Sequence, residues 1–422
     1  MTTRARDVSL QSRRRFLGAS ASLIGTSVFA RTRLASAQTP AHPVNETLRP
    51  RPGGSDQGFD PWMEILADAF RHNVREVSRL VAGRPILAVI KNNAYGMGDQ
   101  LVGPLVSACD DVGGLACVRV SEALAMRAAG VTKPILNMAE VSEEEGLELA
   151  QHDVHQAVWL DDAQARLERI AARTGRPVPV HLYLDAGMNR EGMPLDRARP
   201  WVERLCRSKH VRVDGTFMMF PHVLDGDRAI LDRFLAFTGA AKQAGLDLGS
   251  LHASPSYEVL YLPDAHLDMV RPGNLLFGNF TKEAWLERAP DLHPVFRLRA
   301  RVVRLEQLRA GDTASFRRGY IASRPTWIAL LPTGHVDGYP ATASNTCHVL
   351  IGGRLYPVVG AVSSTHTLVE VGDERTVEIG DVATLIGPDD PAITPHAVAE
   401  KTGVGFYGMI TKMNALLPRR LM

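Results

Sequence analysis

From about residue 60 onward, stretches of helical period alternate with short apolar runs rich in β-branched residues. Ile65, Leu66, Phe70, Val74, Val77, Leu80 and Val81 recur at helical spacing, and Gly83 is placed to end that helix. Strand-like runs follow at 85–90 (PILAVI), 114–120 (GLACVRV), 134–138 (PILNM), 155–160 (HQAVWL), 178–184 (VPVHLYL), 213–220 (VDGTFMMF), 247–253 (DLGSLHA) and 266–270 (HLDMV). Eight runs separated by helical stretches predict an α/β fold, a closed parallel (β/α)8 barrel. An open doubly wound sheet is the alternative. It would carry a Gly-rich phosphate turn after its first strand, and no G-x-G-x-x-G follows PILAVI.

Past about Leu292 the texture changes to period-two alternation with glycine punctuation, at 295–305, 326–332, 348–362 and 381–387. This predicts a mostly β C-terminal domain over 293–422, after a barrel over 60–292. Residues 38–59 are rich in Pro, Gly, Arg and Asp and read as a linker.

The N-terminus has a different character. Ser12-Arg13-Arg14-Arg15-Phe16-Leu17 is followed by a weakly apolar stretch from Gly18 to Ala30 and by Ala35-Ser36-Ala37, a small-x-small cleavage pattern. Residues 1–37 thus read as a twin-arginine export signal and imply a periplasmic address. The apolar stretch is too short to span a bilayer, so no membrane association is expected after its removal. The leader holds seven arginines and one aspartate, and without it 48 basic against 46 acidic residues become 41 against 45. A slightly acidic chain with no Lys/Arg-rich run offers no footprint for nucleic acid. Cys109, Cys117, Cys206 and Cys347 have neither C-x-x-C spacing nor a histidine cluster nearby, which argues against a zinc site or a disulfide scaffold.

In a parallel barrel, reactive groups collect where the C-terminal ends of the strands converge. Lys91 follows PILAVI directly, Asp185 and Arg190 follow VHLYL, and His222 follows GTFMMFP; His252 and Ser256 close DLGSL, and Arg271 follows LDMV. A lysine ending a buried strand has a depressed pKa and can form a Schiff base, although a lone strand-end lysine is more often a rim ion pair.

Its neighbours decide between the two. The string Ala88-Val89-Ile90-Lys91-Asn92-Asn93-Ala94-Tyr95-Gly96 resembles the pyridoxal-phosphate (PLP) attachment motif of alanine racemases. Further resemblances follow in order: Leu184-Asp185-Ala186-Gly187-Met188-Asn189-Arg190, His252-Ala253-Ser254-Pro255-Ser256, Asp268-Met269-Val270-Arg271-Pro272-Gly273, Asp337-Gly338-Tyr339-Pro340 and Phe406-Tyr407-Gly408. The chain is identified on these motifs as a member of that family. The resemblance implies a PLP-dependent isomerase that acts on a small-molecule amino acid and forms a head-to-tail homodimer with shared active sites. It implies that Lys91 carries the cofactor and handles the face of Cα presented by the D-enantiomer. Tyr95, Ser256, Gly273, Asn274 and Tyr407 would hold the phosphate, and His252 would lie beside the pyridine ring. Arg190 would sit near the phenolic oxygen and the substrate carboxylate. Arg271 would face the pyridine nitrogen and, as a permanent cation, keep it unprotonated.

Six positions depart from the family pattern. Phe316 stands at the place of the tyrosine that serves as the second acid/base, and Met219 at the place of the histidine that tunes it. Tyr183 replaces a lysine often carbamylated to position the arginine, Ser364-Thr365 replaces a Met-Asp pair at the substrate carboxylate, and His335 replaces a pocket tyrosine. Three readings stay open. The chain racemises with a substitute second group, His335 first among His335, Tyr320, His366 and water; or it works on one face through Lys91 alone as a lyase or decarboxylase; or it binds PLP and an amino acid without turnover.

Overall fold

The computed structural model describes residues 58, 60–280 and 289–422. The leader read over 1–37 and nearly all of the linker read over 38–59 lie outside the described residues. Seven strands run parallel in chain order: Ile86–Val89, Val112–Cys117, Ile135–Asn137, His155–Val158, Val178–Asp185, Val211–Phe217 and Ser250–His252. The run at 266–270 forms no extended strand, yet it closes the ring. Met269 bridges His252 and Val270 bridges Ile86, and the Leu87 amide donates to the Val270 carbonyl at 2.8 Å. Pro272 and Gly273 end the run before it can lengthen.

Parallel strands are covered on both faces. All four residues of Ile86–Val89 are buried accordingly. Leu87, Val89, Ala116, Leu136, Ala157, Tyr183 and Phe217 form one small cluster, distinct from the larger cores that pack the barrel helices. Local signals place those helices. Ser142 opens Glu143–Gln151 with a capping box, accepting from the Glu145 amide while the Glu145 carboxylate accepts from the Ser142 amide.

The helix read from Ile65 begins at Ala67 and runs to Leu80. Trp62–Ile65 is drawn into the β domain, antiparallel to Phe296–Arg301 and parallel to Arg419–Leu421. Its residues are all buried, and a short continuously buried run carries no periodicity that separates strand from helix. The resulting sheet has the order Arg304–Leu308, Thr326–Leu331, Thr367–Gly372, Arg354–Val359, His348–Ile351, Val382–Ile386, Phe296–Arg301, Trp62–Ile65, Arg419–Leu421. The run at 348–362 folds as a hairpin over Gly352 and Gly353, both at positive φ. Among the described residues no helix is long and apolar enough to cross a membrane, and all four cysteines are free thiols.

The two domains meet at one strained turn. Directly after the first barrel strand, Asn92, Asn93, Ala94 and Tyr95 take φ values of 57°, 54°, 48° and 52°, followed by Gly96 at 85°. The left-handed region costs L residues roughly 1–2 kcal/mol each, least for Asn, so Ala94 and Tyr95 must be held there by their surroundings. From the barrel side, buried Glu122 accepts from the amides of Asn93, Val118 and Arg119 at 3.1–3.2 Å. From the β domain, Arg419 donates to the Gly96 carbonyl through Nε at 3.1 Å and Nη2 at 2.7 Å. The helix Phe406–Ile410 packs so closely that a Cβ on Gly96 would collide with the Ile410 carbonyl.

Gly96→Ala is therefore expected to cost about 3 kcal/mol, combining strain at positive φ with the collision. Gly130 also has positive φ but has nothing within 4 Å of a Cβ, and Gly130→Ala should cost only about 1 kcal/mol. Urea midpoints of the two variants check this; equal losses would show that the clamp has no steric part.

Candidate active site

At the C-terminal mouth of the barrel lies a cavity of about 510 Å³, within the roughly 300–1,000 Å³ typical of small-molecule sites. Lys91, Tyr95, Arg190, Ser256, Arg271, Gly273, Asn274 and Tyr407 all line it. Eight of the residues singled out in the sequence thus converge on one space. At one end the Tyr95 hydroxyl lies against Gly273, where any Cβ would overlap it. Ser256 Oγ accepts from the amides of Gly273 and Leu275 at 3.0 and 3.3 Å, which leaves its own proton free to donate. The Tyr407 hydroxyl accepts from Asn92 Nδ2 at 3.0 Å and can donate in turn. Hydroxyl donors around a glycine that admits no side chain make a cradle for a tetrahedral anion.

Arg271 is buried in the cavity floor. Its Nη1 lies 2.7 Å from His252 Nδ1 and also donates to the His252 carbonyl at 2.7 Å, and Nη2 donates to the Met218 carbonyl at 2.7 Å. A guanidinium has only donors, so His252 Nδ1 must accept and its proton must sit on Nε2. That nitrogen is 2.7 Å from His181 Nδ1, and His181 Nε2 is 3.3 Å from His155 Nδ1. Three imidazoles are therefore linked in a row, His252 and His181 each donating through Nε2 to the next, and His155 Nδ1, the last acceptor, also lies 3.4 Å from the Asp214 carboxylate. Burial lowers the pKa of all three, well below the usual histidine range for His181 and His252, where the Arg271 charge adds to it, and less far for His155, where Asp214 opposes it. Burial pulls Arg271 down only to about 10, so it stays charged at neutral pH. His252 is reached through Arg271 and packs its ring on Phe217 at 5.1 Å; it does not line the cavity.

Lys91 is partly buried, and burial lowers its pKa; the Arg190 charge adds to this while Glu122 and Glu191 oppose it. Arg190 stands on the loop after Val178–Asp185, where Asp185 Oδ1 accepts from the amides of Gly187, Met188 and Asn189 at 2.9–3.1 Å and fixes the turn. Tyr183 lies beneath it, its phenol pushed up to about 12 by burial, with Arg190 pulling the other way. Met219 Sδ is 3.2 Å from Arg271 Nη2.

Phe316, His335 and Ser364 are not brought to this cavity. They share a second one, about 720 Å³, on the β domain with Thr365 and His366. Phe316 is 72% exposed there.

The family model described as "Alanine racemase, N-terminal domain" matches residues 65–280, and "Alanine racemase, C-terminal domain" matches 295–421. The chain belongs to the alanine racemase family. The alanine racemases of Symbiobacterium thermophilum and Desulfovibrio desulfuricans are similar to it at 33% and 31% identity over 374 and 366 residues, or 85% of this chain and 96% and 97% of those proteins. The solved alanine racemase from Streptomyces coelicolor A3(2) superposes with a TM-score of 0.79 at 28% identity, covering 87% of this chain and all of that one.

Alanine racemases are PLP-dependent, and the residues here fit that cofactor. The hydroxyl cradle around side-chain-free Gly273 suits a phosphate, Lys91 is a partly buried amine on the same cavity, and Arg271 offers a fixed cation there. Within this alanine racemase-type site, two groups carried no clear signal in the sequence. The His181–His155–Asp214 ladder falls on strand interiors, where alternating histidines read as ordinary core. Glu258 is fully buried beside the cavity and pairs with His222 at 2.9 Å; His222 was visible as a strand-end group, but nothing linked it to Glu258.

Because the neutral amine is the nucleophile, PLP uptake by the apoprotein should accelerate with pH and level off below the ordinary lysine pKa of about 10.4. Glu191→Gln removes an anion that favours the ammonium form, so the profile should move to lower pH. Growth of the visible absorption band after mixing reads both; a rate still climbing above pH 10.4 would contradict the assigned environment of Lys91.

Proposed function

We propose that this protein is an exported, PLP-dependent amino-acid racemase that works as a head-to-tail homodimer and has a replaced proton-transfer group on the second face of Cα. The observation that carries it is the division of the site into two cavities. The barrel holds the whole cofactor cradle and Lys91, while Phe316, His335 and Ser364 lie around an open cavity on the β domain. In a head-to-tail pair each β-domain cavity covers the partner's barrel mouth and buries the exposed Phe316 ring. The periplasmic address rests on Arg13-Arg14-Arg15 and the cleavage pattern after it.

Tyr95, Ser256, Gly273, Asn274 and Tyr407 would hold the PLP phosphate, and Arg271 would face the ring nitrogen. Bound PLP supplies an electron-withdrawing ring that stabilises the electron pair left when the Cα–H bond breaks. Lys91, whose pKa burial lowers, takes or returns the proton on its own face of Cα. Arg190 binds the substrate carboxylate, and the permanent charge of Arg271 favours quick reprotonation over side reactions. The second face carries neither the family's tyrosine nor its histidine, since Phe316 and Met219 cannot move a proton. That loss favours one second reading, a lyase or decarboxylase that uses Lys91 on a single enantiomer.

The purified protein should show a visible absorption band that Lys91→Ala abolishes, and a wild type without the band would sink the PLP assignment. Separate amino-acid enantiomers in deuterated water then divide the readings. Label uptake with inversion supports racemisation; uptake with retention from one enantiomer alone supports the one-face enzyme; no uptake across a broad panel supports a binding protein. In the same assay His335→Ala tests the first of the substitute groups: lost inversion assigns the second proton transfer to His335, and unchanged inversion rules His335 out.

A further inference from the structure

One polar cluster on the cavity wall has no part in the cofactor cradle. His222 follows the strand Val211–Phe217 and lines the same cavity as Lys91 and Arg190. Its backbone is left-handed, with φ 62°, a costly conformation that concentrates at functional sites. Nδ1 is 2.9 Å from Glu258 Oε1. Glu258 sits on the helix Ser256–Tyr261, is fully buried, and has an Oε2 with no hydrogen-bond partner among the described residues. Asp227, buried in the first turn of the helix Leu224–Gln243, adds its charge to the same group.

His222 and Lys91 reach the cavity from different strands of the ring. Lys91 ends the first strand and His222 follows the sixth, so the seventh strand and the closing segment at Met269 and Val270 lie between them on the shorter way round the ring. We propose that His222, oriented by Glu258, is the proton donor and acceptor on the face of the substrate Cα opposite Lys91. It would stand in for the tyrosine and histidine whose places Phe316 and Met219 occupy. This rests on the racemase reading above and assigns its missing group to the barrel.

The chemistry balances without a further reactant. With Nδ1–H donated to Glu258, proton exchange falls to Nε2. Lys91 takes the α-hydrogen as a proton, and the C–H electron pair stays with the carbon and the cofactor. The Nε2 proton of His222 then goes to the opposite face, where that electron pair forms the new C–H bond. Lys91 ends as the ammonium and His222 as the neutral imidazole, and proton exchange with water after product release resets both; the reverse direction runs the same transfers backward. The groups that face His222 are Glu258, Asp227 and Arg190, with the Tyr257 ring at 5.3 Å. The Glu258 hydrogen bond raises His222 above the ordinary histidine range, and burial and Arg190 act against it.

The holoprotein in deuterated water, given each enantiomer of alanine and of a broad amino-acid panel, tests this with His222→Gln, Glu258→Gln and His335→Ala. His222→Gln should lower inversion at least about 100-fold, yet keep the visible cofactor band and label uptake with retention from the enantiomer that faces Lys91. Those two retained signals show that the variant has folded. Glu258→Gln should lower the His222 pKa, so the limb of the inversion pH profile that belongs to His222 moves to lower pH while the Lys91 limb stays, and the His222 imidazole resonance of labelled protein should titrate at lower pH as well. Inversion at the wild-type rate in His222→Gln, or its loss in His335→Ala alone, would overturn the proposal. A wild type that takes up label only with retention overturns the racemase reading instead. In that event the imidazole titration still bears on the dyad, and a His222 pKa unmoved by Glu258→Gln overturns it independently.

Discussion

The left-handed turn after Lys91 is the constraint on which the site depends. Four successive non-glycine residues at positive φ cost of the order of 4–8 kcal/mol together, comparable to the net stability of a small domain. The turn persists because Glu122 holds its amides from the barrel while Arg419 and the helix Phe406–Ile410 close on it from the β domain. What the strain secures is a direction. Lys91 is left at the end of a rigid strand, and Tyr95 is turned back so that its hydroxyl meets Gly273. Domain packing and cofactor geometry are thus one problem, since loosening the β domain would release the tyrosine that shapes the cradle.

A second order is imposed from the cavity floor downward. Arg271 has no acceptor to offer, so its contact with His252 fixes one tautomer, and that tautomer fixes the next two through His181 to His155. A buried cation would ordinarily demand a carboxylate. Here it is held by the carbonyls of Met218, His252 and Ala253 and by a neutral imidazole, so its charge is not cancelled within the floor and is felt by whatever occupies the cavity. The ladder works by keeping histidines neutral beside a permanent charge.

How far the sequence revealed this depended on whether a feature was local. The seven barrel strands, the glycine-punctuated β domain and the strand-end groups were legible because each is written in a few consecutive residues. Trp62–Ile65 was misread because its partners, Phe296–Arg301 and Arg419–Leu421, lie more than 200 residues away and its own pattern is merely apolar. The strand Thr367–Gly372 was overlooked because polar residues interrupt its alternation, although every second position is buried. The motif string through Lys91 announced the cradle, whereas the split of Phe316, His335 and Ser364 onto another surface is a property of assembly that no single stretch encodes.

The wall around His222 shows why a cluster of acids can persist in such a place. Burial raises the pKa of both Glu258 and Asp227, and each carries carboxylate oxygens without a partner among the described residues. Two buried carboxyls in mutual range disfavour each other's ionisation, which adds to the effect of burial on Glu258. A negative charge on Glu258 is matched by a proton on His222 at 2.9 Å, and the two favour each other's charged form. Loss of a proton from His222 leaves that charge unmatched, which makes the imidazole a stronger base. Arg190, on the same cavity, works in the opposite sense, and a substrate carboxylate that neutralises Arg190 would strengthen the base further at the moment it is needed.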